Sequence, residues 1–251
     1  MKKDQLFAER TQAVSNFNFG KETAEVFEDM LDRSIPLYRE VQRMLGELVA
    51  EFAVDGTCVY DLGCSNGITL ETVGRAIAAA GKQVRLVGVD YSKPMLEKAA
   101  QRFADVTPAL RPELMHADLN EAFTLEDASV VVLNLTLQFV RPLFRDRLVR
   151  SIFEGLNDNG CLIIVEKVLG NDSLFNQLFI KFYYDMKRRN EYTDLEIAQK
   201  REALENVLIP YRIDENFELL RRNGFGSVDM FYKWYNFAGF LGVKTAQPGR
   251  S

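Results

Sequence analysis

The sequence predicts an α/β fold, a seven-stranded and mostly parallel sheet that ends in an antiparallel hairpin, with helices over its faces. Short apolar runs alternate with helical stretches between residues 58 and 165, the pattern of strands joined by crossover helices. The first run, Val59-Tyr60-Asp61-Leu62, feeds a turn of small residues, Gly63-Cys64-Ser65-Asn66-Gly67, that opens a helix. The connection Lys233-Trp234-Tyr235 is short enough to join the last two strands as a hairpin. With 251 residues and 47% hydrophobic composition, the chain can bury a full core as one domain, 1–251.

Residues 1–55 are expected to form an N-terminal helical cover. Within it, Ser34 followed by Pro36 predicts a helix start, and Leu37, Val41, Leu45 and Leu48 fall inward at helical spacing. Strands are then expected at Cys58–Leu62, Val84–Val89, Leu114–Ala117, Ser129–Leu133 and Leu162–Val165, with helices after Asn66, Ser92 and Pro142. Asn157-Asp158-Asn159-Gly160 reads as the turn before the fifth strand. A helical insertion over 172–207, Phe175–Arg189 followed by Leu195–Val207, interrupts the rhythm above the end of the sheet where ligands bind. A helix near Glu215–Arg222 and strands at Val228–Tyr232 and Asn236–Val243 complete the chain.

A formal net charge of −5 gives no whole-surface attraction to nucleic acid or anionic membrane, so direct binding to either is not expected. The basic run Lys187-Arg188-Arg189 reads as a solvated helix end rather than an anion patch. The N-terminus lacks the apolar stretch of a signal peptide, and no run is long enough to span a membrane. Cys58, Cys64 and Cys161 are odd in number and scattered, as reduced thiols are, so a cytoplasmic protein is expected. A single histidine, His116, supplies neither a zinc ligand set nor a catalytic triad; no metal is expected, and His116 reads as a strand-end residue.

The chemistry gathers at the strand ends. A backbone passing close to a ligand needs small residues, and the free N–H groups of a helix start favour polar or anionic ligand groups. Gly63 and Gly67 meet the first need, and Cys64 and Ser65 do not obstruct it. The dinucleotide fingerprint GxGxxG would require a third glycine where this chain has Ile68; the pattern is GxSxG. It resembles the first motif of the S-adenosylmethionine (SAM)-dependent Rossmann-like transferases, in which Asp61 would sit near the methionyl end. The terminal hairpin resembles the sheet of those enzymes rather than that of an NAD dehydrogenase. Asp90 closes the second strand, where a carboxylate can accept both ribose hydroxyls of an adenosine; the competing account is a cap for the helix after Ser92. Asp118 can accept the adenine amino group and Leu119 can offer a backbone N–H and an apolar surface, or the pair is an exposed turn. Asn134 follows four apolar residues and should face the crevice toward the methionyl group, unless its amide is tied to the next loop.

Together these residues resemble the carboxy-S-adenosyl-L-methionine synthase family over nearly the entire chain. The resemblance rests on 24–30 (AEVFEDM), 33–38 (RSIPLY), 59–65 (VYDLGCS) and 131–139 (VVLNLTLQF). It rests further on 194–201 (DLEIAQKR) and 204–207 (LENV), which are not general SAM-binding features. It implies that SAM and prephenate give carboxy-SAM, phenylpyruvate and water, and that carboxy-SAM later serves a separate enzyme that carboxymethylates a tRNA wobble uridine. The sulfonium makes the methyl protons acidic, and the carbanion formed captures carbon dioxide from prephenate, so no protein nucleophile is required. The protein would position two substrates, exclude water and stabilise charge.

By this resemblance Arg201 is the carboxylate-binding arginine, reaching across a homodimer that the helical insertion helps to form, and Tyr38 contacts the cofactor. Read without it, Arg201 is a helix-surface residue and Tyr38 a core or interface residue. Tyr91 stands where family members carry a smaller polar residue, so it would flank adenine rather than donate a hydrogen bond. Asn66 likewise replaces an apolar residue. A conventional SAM-dependent methyltransferase acting on a small molecule or tRNA, and a SAM-binding regulatory protein without turnover, remain the alternatives.

Overall fold

The computed structural model describes residues 2–10, 14–104, 106 and 110–245. Two helices, α1 (Lys21–Ser34) and α2 (Tyr38–Phe52), precede β1 (Cys58–Leu62), α3 (Ile68–Ala79), β2 (Arg85–Asp90), α4 (Lys93–Arg102) and β3 (Glu113–His116). The chain continues through β4 (Ala128–Asn134), α5 (Pro142–Gly155), β5 (Leu156–Leu169), α6 (Ser173–Arg189) and α7 (Asp194–Leu204). It ends with β6 (Tyr211–Arg212), α8 (Ile213–Arg222), β7 (Ser227–Trp234) and β8 (Phe237–Val243).

The strands lie in the order β3-β2-β1-β4-β5-β8-β7, with the short β6 pairing on β5 as an eighth strand beyond the expected seven. Pairs from β3 across to β5 are parallel, whereas β8 runs antiparallel between β5 and β7. Order therefore reverses at β1 and β4, and the crevice beyond their carboxyl ends is where such sheets hold ligands. Both faces are covered. Tyr60, Leu62, Val131, Leu133, Leu162 and Ile164 pack toward Leu148 and Ile152 of α5 and Leu219 of α8. Their alternates Val59, Val130, Val132, Ile163 and Val165 pack toward Leu45 of α2, Val73 of α3 and Tyr183 of α6. Burial on both sides makes Val130–Leu133 of β4 read as an unbroken apolar run and leaves β1 apolar apart from Asp61, and each buried apolar side chain contributes roughly 1.5–3 kcal/mol.

Four expectations are corrected. Ser34 ends α1 rather than starting the next helix, and the chain turns through Pro36. Leu37 is the left-handed N-cap of α2 (φ 52°) and points to solvent, 57% exposed, while Val41, Leu45 and Val49 carry the buried face. The expected turn at 157–160 lies inside β5. Asn159 is left-handed (φ 63°), and its N–H and the Gly160 carbonyl pair with Lys244 just past β8, so a neighbouring strand absorbs the irregularity as a bulge. The described residues before Lys21 are not helical; Phe17 instead donates its N–H to the Ala203 carbonyl at 2.9 Å, which lays this segment over the carboxyl end of the sheet.

Candidate active site

The turn after β1 is built for close approach. Gly63 (φ 82°), Ser65 (φ 49°) and Gly67 (φ 82°) are left-handed, a region that costs a residue bearing Cβ about 1–2 kcal/mol. The N–H groups of Gly63 and Cys64 both reach the Val89 carbonyl, at 2.7 and 3.0 Å, which ties the turn to β2. A Cβ on Gly63 would overlap Thr136, and one on Gly67 would lie 2.9 Å from the Phe103 ring.

Tyr38, Gly63, Cys64, Ser65, Asp90, Tyr91, Asp118, Leu119 and Asn134 all line one cavity, although they come from five separate stretches of sequence. The Asp90 carboxylate accepts the N–H of Ser65 at 2.9 Å through one oxygen and that of Ser92 at 2.8 Å through the other. The capping residue of α4 is Ser92 itself, whose Oγ accepts the Met95 N–H. Asp118 accepts the backbone and side-chain N–H groups of Asn120, and Leu119 is buried beside it. Asn134 donates to Thr69 Oγ1 at 2.9 Å and leaves its own Oδ1 buried without a partner. Tyr91 is half exposed, edge-on to Phe19 with ring centroids 6.2 Å apart. His116 ends β3 and its Nε2 meets the Tyr91 carbonyl at 2.8 Å.

Orphaned buried oxygens surround the turn: Asp61 Oδ2, Asn66 Oδ1 and Asn134 Oδ1. Each is an acceptor held out of water, an arrangement that suits a ligand bringing N–H donors or positive charge. Burial, reinforced by the charge of Asp90, pushes the Asp61 carboxyl up to about 7. Burial likewise raises Tyr38 and Cys64 well above their ordinary ranges, with Asp61 adding to both, so neither is an anionic nucleophile at neutral pH. Among the described residues no group of three or more His, Cys, Asp or Glu could hold a metal ion. The described cysteines, all three of them, are free and buried.

Arg201 does not join this cavity within its own chain: it is exposed on α7, while its neighbour Lys200 is buried and lines the cavity. Lys200 Nζ lies 3.5 Å from Asp4 Oδ2 and donates to Ser34 Oγ at 3.2 Å, and Tyr192 donates to Asp4 at 2.6 Å. Lys187, expected in a solvated helix end, is buried between the rings of Tyr183 and Tyr192 at 5.6 and 5.0 Å. Sequence reading missed Thr69, Lys167, Tyr183, Lys200 and the aromatic pair Phe17 and Phe19, all of which line the cavity. Lys167 could have been found: it follows the fifth predicted strand by two residues, at a carboxyl end. Which face of α7 turns inward was not legible from the sequence.

Residues 59–160 match a family described as a methyltransferase domain. Among solved structures, an O-methyltransferase family protein from Burkholderia thailandensis superposes with a TM-score of 0.67 at 17% identity, covering 90% of this chain and 60% of that one. A putative S-adenosyl-L-methionine-dependent methyltransferase from Methanococcus maripaludis gives 0.59 at 18% identity, covering 94% and 99%. These likenesses establish a methyltransferase-like fold. The carboxy-S-adenosyl-L-methionine synthase of Methylococcus capsulatus is 52% identical over 244 residues, 97% of this chain and 100% of the relative. That of Desulforapulum autotrophicum is 43% identical over 251 residues, the full length of both. By relatedness over its length, the chain belongs to the carboxy-S-adenosyl-L-methionine synthase family.

Proposed function

We propose that the protein converts SAM and prephenate to carboxy-SAM, phenylpyruvate and water, and that it does so as a cytoplasmic homodimer supplying the donor for carboxymethylation of tRNA wobble uridine. The observation that carries the reading is 52% identity to a carboxy-S-adenosyl-L-methionine synthase across 97% of the chain. The cavity supports it with small residues at the turn after β1, carboxylates at the ends of β2 and β3, and no activated nucleophile.

In this reading Asp90 accepts the ribose hydroxyls, Asp118 and Leu119 hold adenine with Tyr91 alongside, and Gly63 to Ser65 let the backbone approach the methionyl group. The orphaned oxygen of Asn134, which lines the cavity, faces its ammonium and sulfonium end, and Asp61, buried at the end of β1, acts on it as a nearby charge. Tyr38 remains a neutral phenol that donates or lays its ring toward the sulfonium. SAM supplies an acidified methyl group. Prephenate supplies carbon dioxide as its ring becomes aromatic, and the hydroxyl it loses and the methyl proton together make the water, so atoms and charge balance. These residues act by orientation and by excluding water, which would otherwise protonate a carbanion before capture. Arg201 of a partner subunit would bind the new carboxylate through two parallel hydrogen bonds.

Mass spectrometry after incubation with SAM and prephenate tests the proposal. SAM should become one carbon dioxide heavier while phenylpyruvate forms in equal amount. Conversion to S-adenosylhomocysteine with a methylated product would instead identify an ordinary methyltransferase.

A further inference from the structure

Two lysines line the cavity and differ in what they face. Lys200 is neutralised by Asp4 and hydrogen-bonded to Ser34. Lys167 has no such support: among the described residues its ammonium has no ion pair and no hydrogen-bond acceptor, only the face of Tyr183 at 5.1 Å. Its position is nonetheless fixed. Lys167 lies near the end of β5, two residues beyond Val165, the register partner of Asn134, and its backbone N–H donates to Gln138 Oε1 at 3.1 Å. A half-buried ammonium without an acceptor is costly unless a ligand supplies one. Burial lowers this amine only to about 8, so it is still mainly cationic at neutral pH.

The geometry points to Lys167 as the residue that binds a carboxylate of the second substrate, the carboxyl donor. The inference rests on the reaction proposed above and assigns a group that the reaction needs. Prephenate carries two carboxylates, one lost as carbon dioxide and one retained in phenylpyruvate. A fixed cation on the departing carboxylate would stabilise the ground state and oppose its loss. Lys167 therefore serves the retained one, which stays charged from substrate to product, so that the pairing adds equally to ground and transition states and acts on KM. The apolar side chains of Phe139 and Leu204 on the same cavity accept the carbon ring.

The test compares the wild-type protein with Lys167→Met and Lys167→Arg, measuring kcat and KM for prephenate and, separately, the Kd for SAM. Loss of one charge-assisted hydrogen bond should raise the prephenate KM of Lys167→Met by about 10- to 100-fold. SAM binding and kcat should change little, and Lys167→Arg should recover part of the KM. An unchanged KM in Lys167→Met overturns the inference and leaves the reaction standing; absence of carboxy-SAM from the wild-type protein overturns both. Should Lys167→Met fail to bind SAM, inhibition of the wild-type protein by phenylpyruvate and by its methyl ester decides. An ester that inhibits at least about tenfold more weakly supports a carboxylate site, and equal inhibition overturns it.

Discussion

Replacing Gly63 by Ala should damage both the fold and the cavity, by an amount that follows from its surroundings. Residue 63 is left-handed at φ 82°, and an added Cβ would lie 2.9 Å from Thr136 Cβ and overlap Thr136 Oγ1 and Cγ2. The backbone region alone costs about 1–2 kcal/mol, and overpacking adds about 1–3 kcal/mol. Thr136 cannot yield freely, because it follows Leu135, itself left-handed at φ 60° and tied to the Val165 carbonyl at 2.7 Å. A loss of about 2–5 kcal/mol at this chain length lowers Tm by roughly 4–20 °C. Calorimetric Tm and SAM affinity are the readouts, with SAM binding weakened at least about tenfold as Asn134 is displaced. Thr136→Ala removes Oγ1 and Cγ2, so the double variant should recover part of the packing loss and none of the backbone loss. An unchanged Tm and SAM Kd in Gly63→Ala would refute the close-approach account of this turn.

The Asp61 carboxyl stands at about 7 against an ordinary 3.8, so binding of a sulfonium and ammonium should pull its pKa down. SAM affinity should then rise with pH from about 5 to 7 and release protons in calorimetry around pH 6.5; pH-independent affinity would contradict it. Burial, with the charges of Lys200 and Lys167, depresses Lys187 from 10.5 to about 6. The unfolded chain thus binds more protons between those values, and this cost is full below pH 6 and fades as pH rises. Lys187→Met should add about 1–3 kcal/mol of stability at pH 6 and little at pH 10 by urea unfolding; no gain at pH 6 would argue against a buried, uncompensated amine. Arg201→Ala should strongly reduce carboxy-SAM formation with SAM binding less affected. Mixing Arg201→Ala with Gly63→Ala subunits should restore part of the activity if the arginine acts across a dimer, and no recovery would remove that arrangement.

The central sheet was legible because burial on both faces leaves β4 and much of β5 as apolar runs, and β1 as one broken only by Asp61, the pattern of strands in a mostly parallel α/β sheet. The turn at Gly63 to Gly67 was legible because left-handed backbone selects small residues. Asp90, Asp118 and Asn134 followed from polar residues ending apolar runs, and the cavity gathers them. What failed was decided by partners distant in sequence. The 157–160 segment carries strong turn residues, yet Lys244 pairs with it and keeps it in β5. Leu37 is apolar at a helical spacing, yet the break after Ser34 turns it outward. Lys200 and Lys187 look like surface lysines, and only the packing of Asp4, Tyr183 and Tyr192 reveals them as buried.

The central claim is that the methyl group of SAM is carboxylated and not transferred. Prephenate labelled with carbon-13 in its ring carboxylate, incubated with the protein and unlabelled SAM, follows that carbon directly. Carboxy-SAM carrying the label in the carboxylate carbon bonded to the unlabelled former methyl carbon, with unlabelled phenylpyruvate in equal amount, is the predicted result. Label leaving only as free carbon dioxide, or a methyl group found on any acceptor beside S-adenosylhomocysteine, would contradict it.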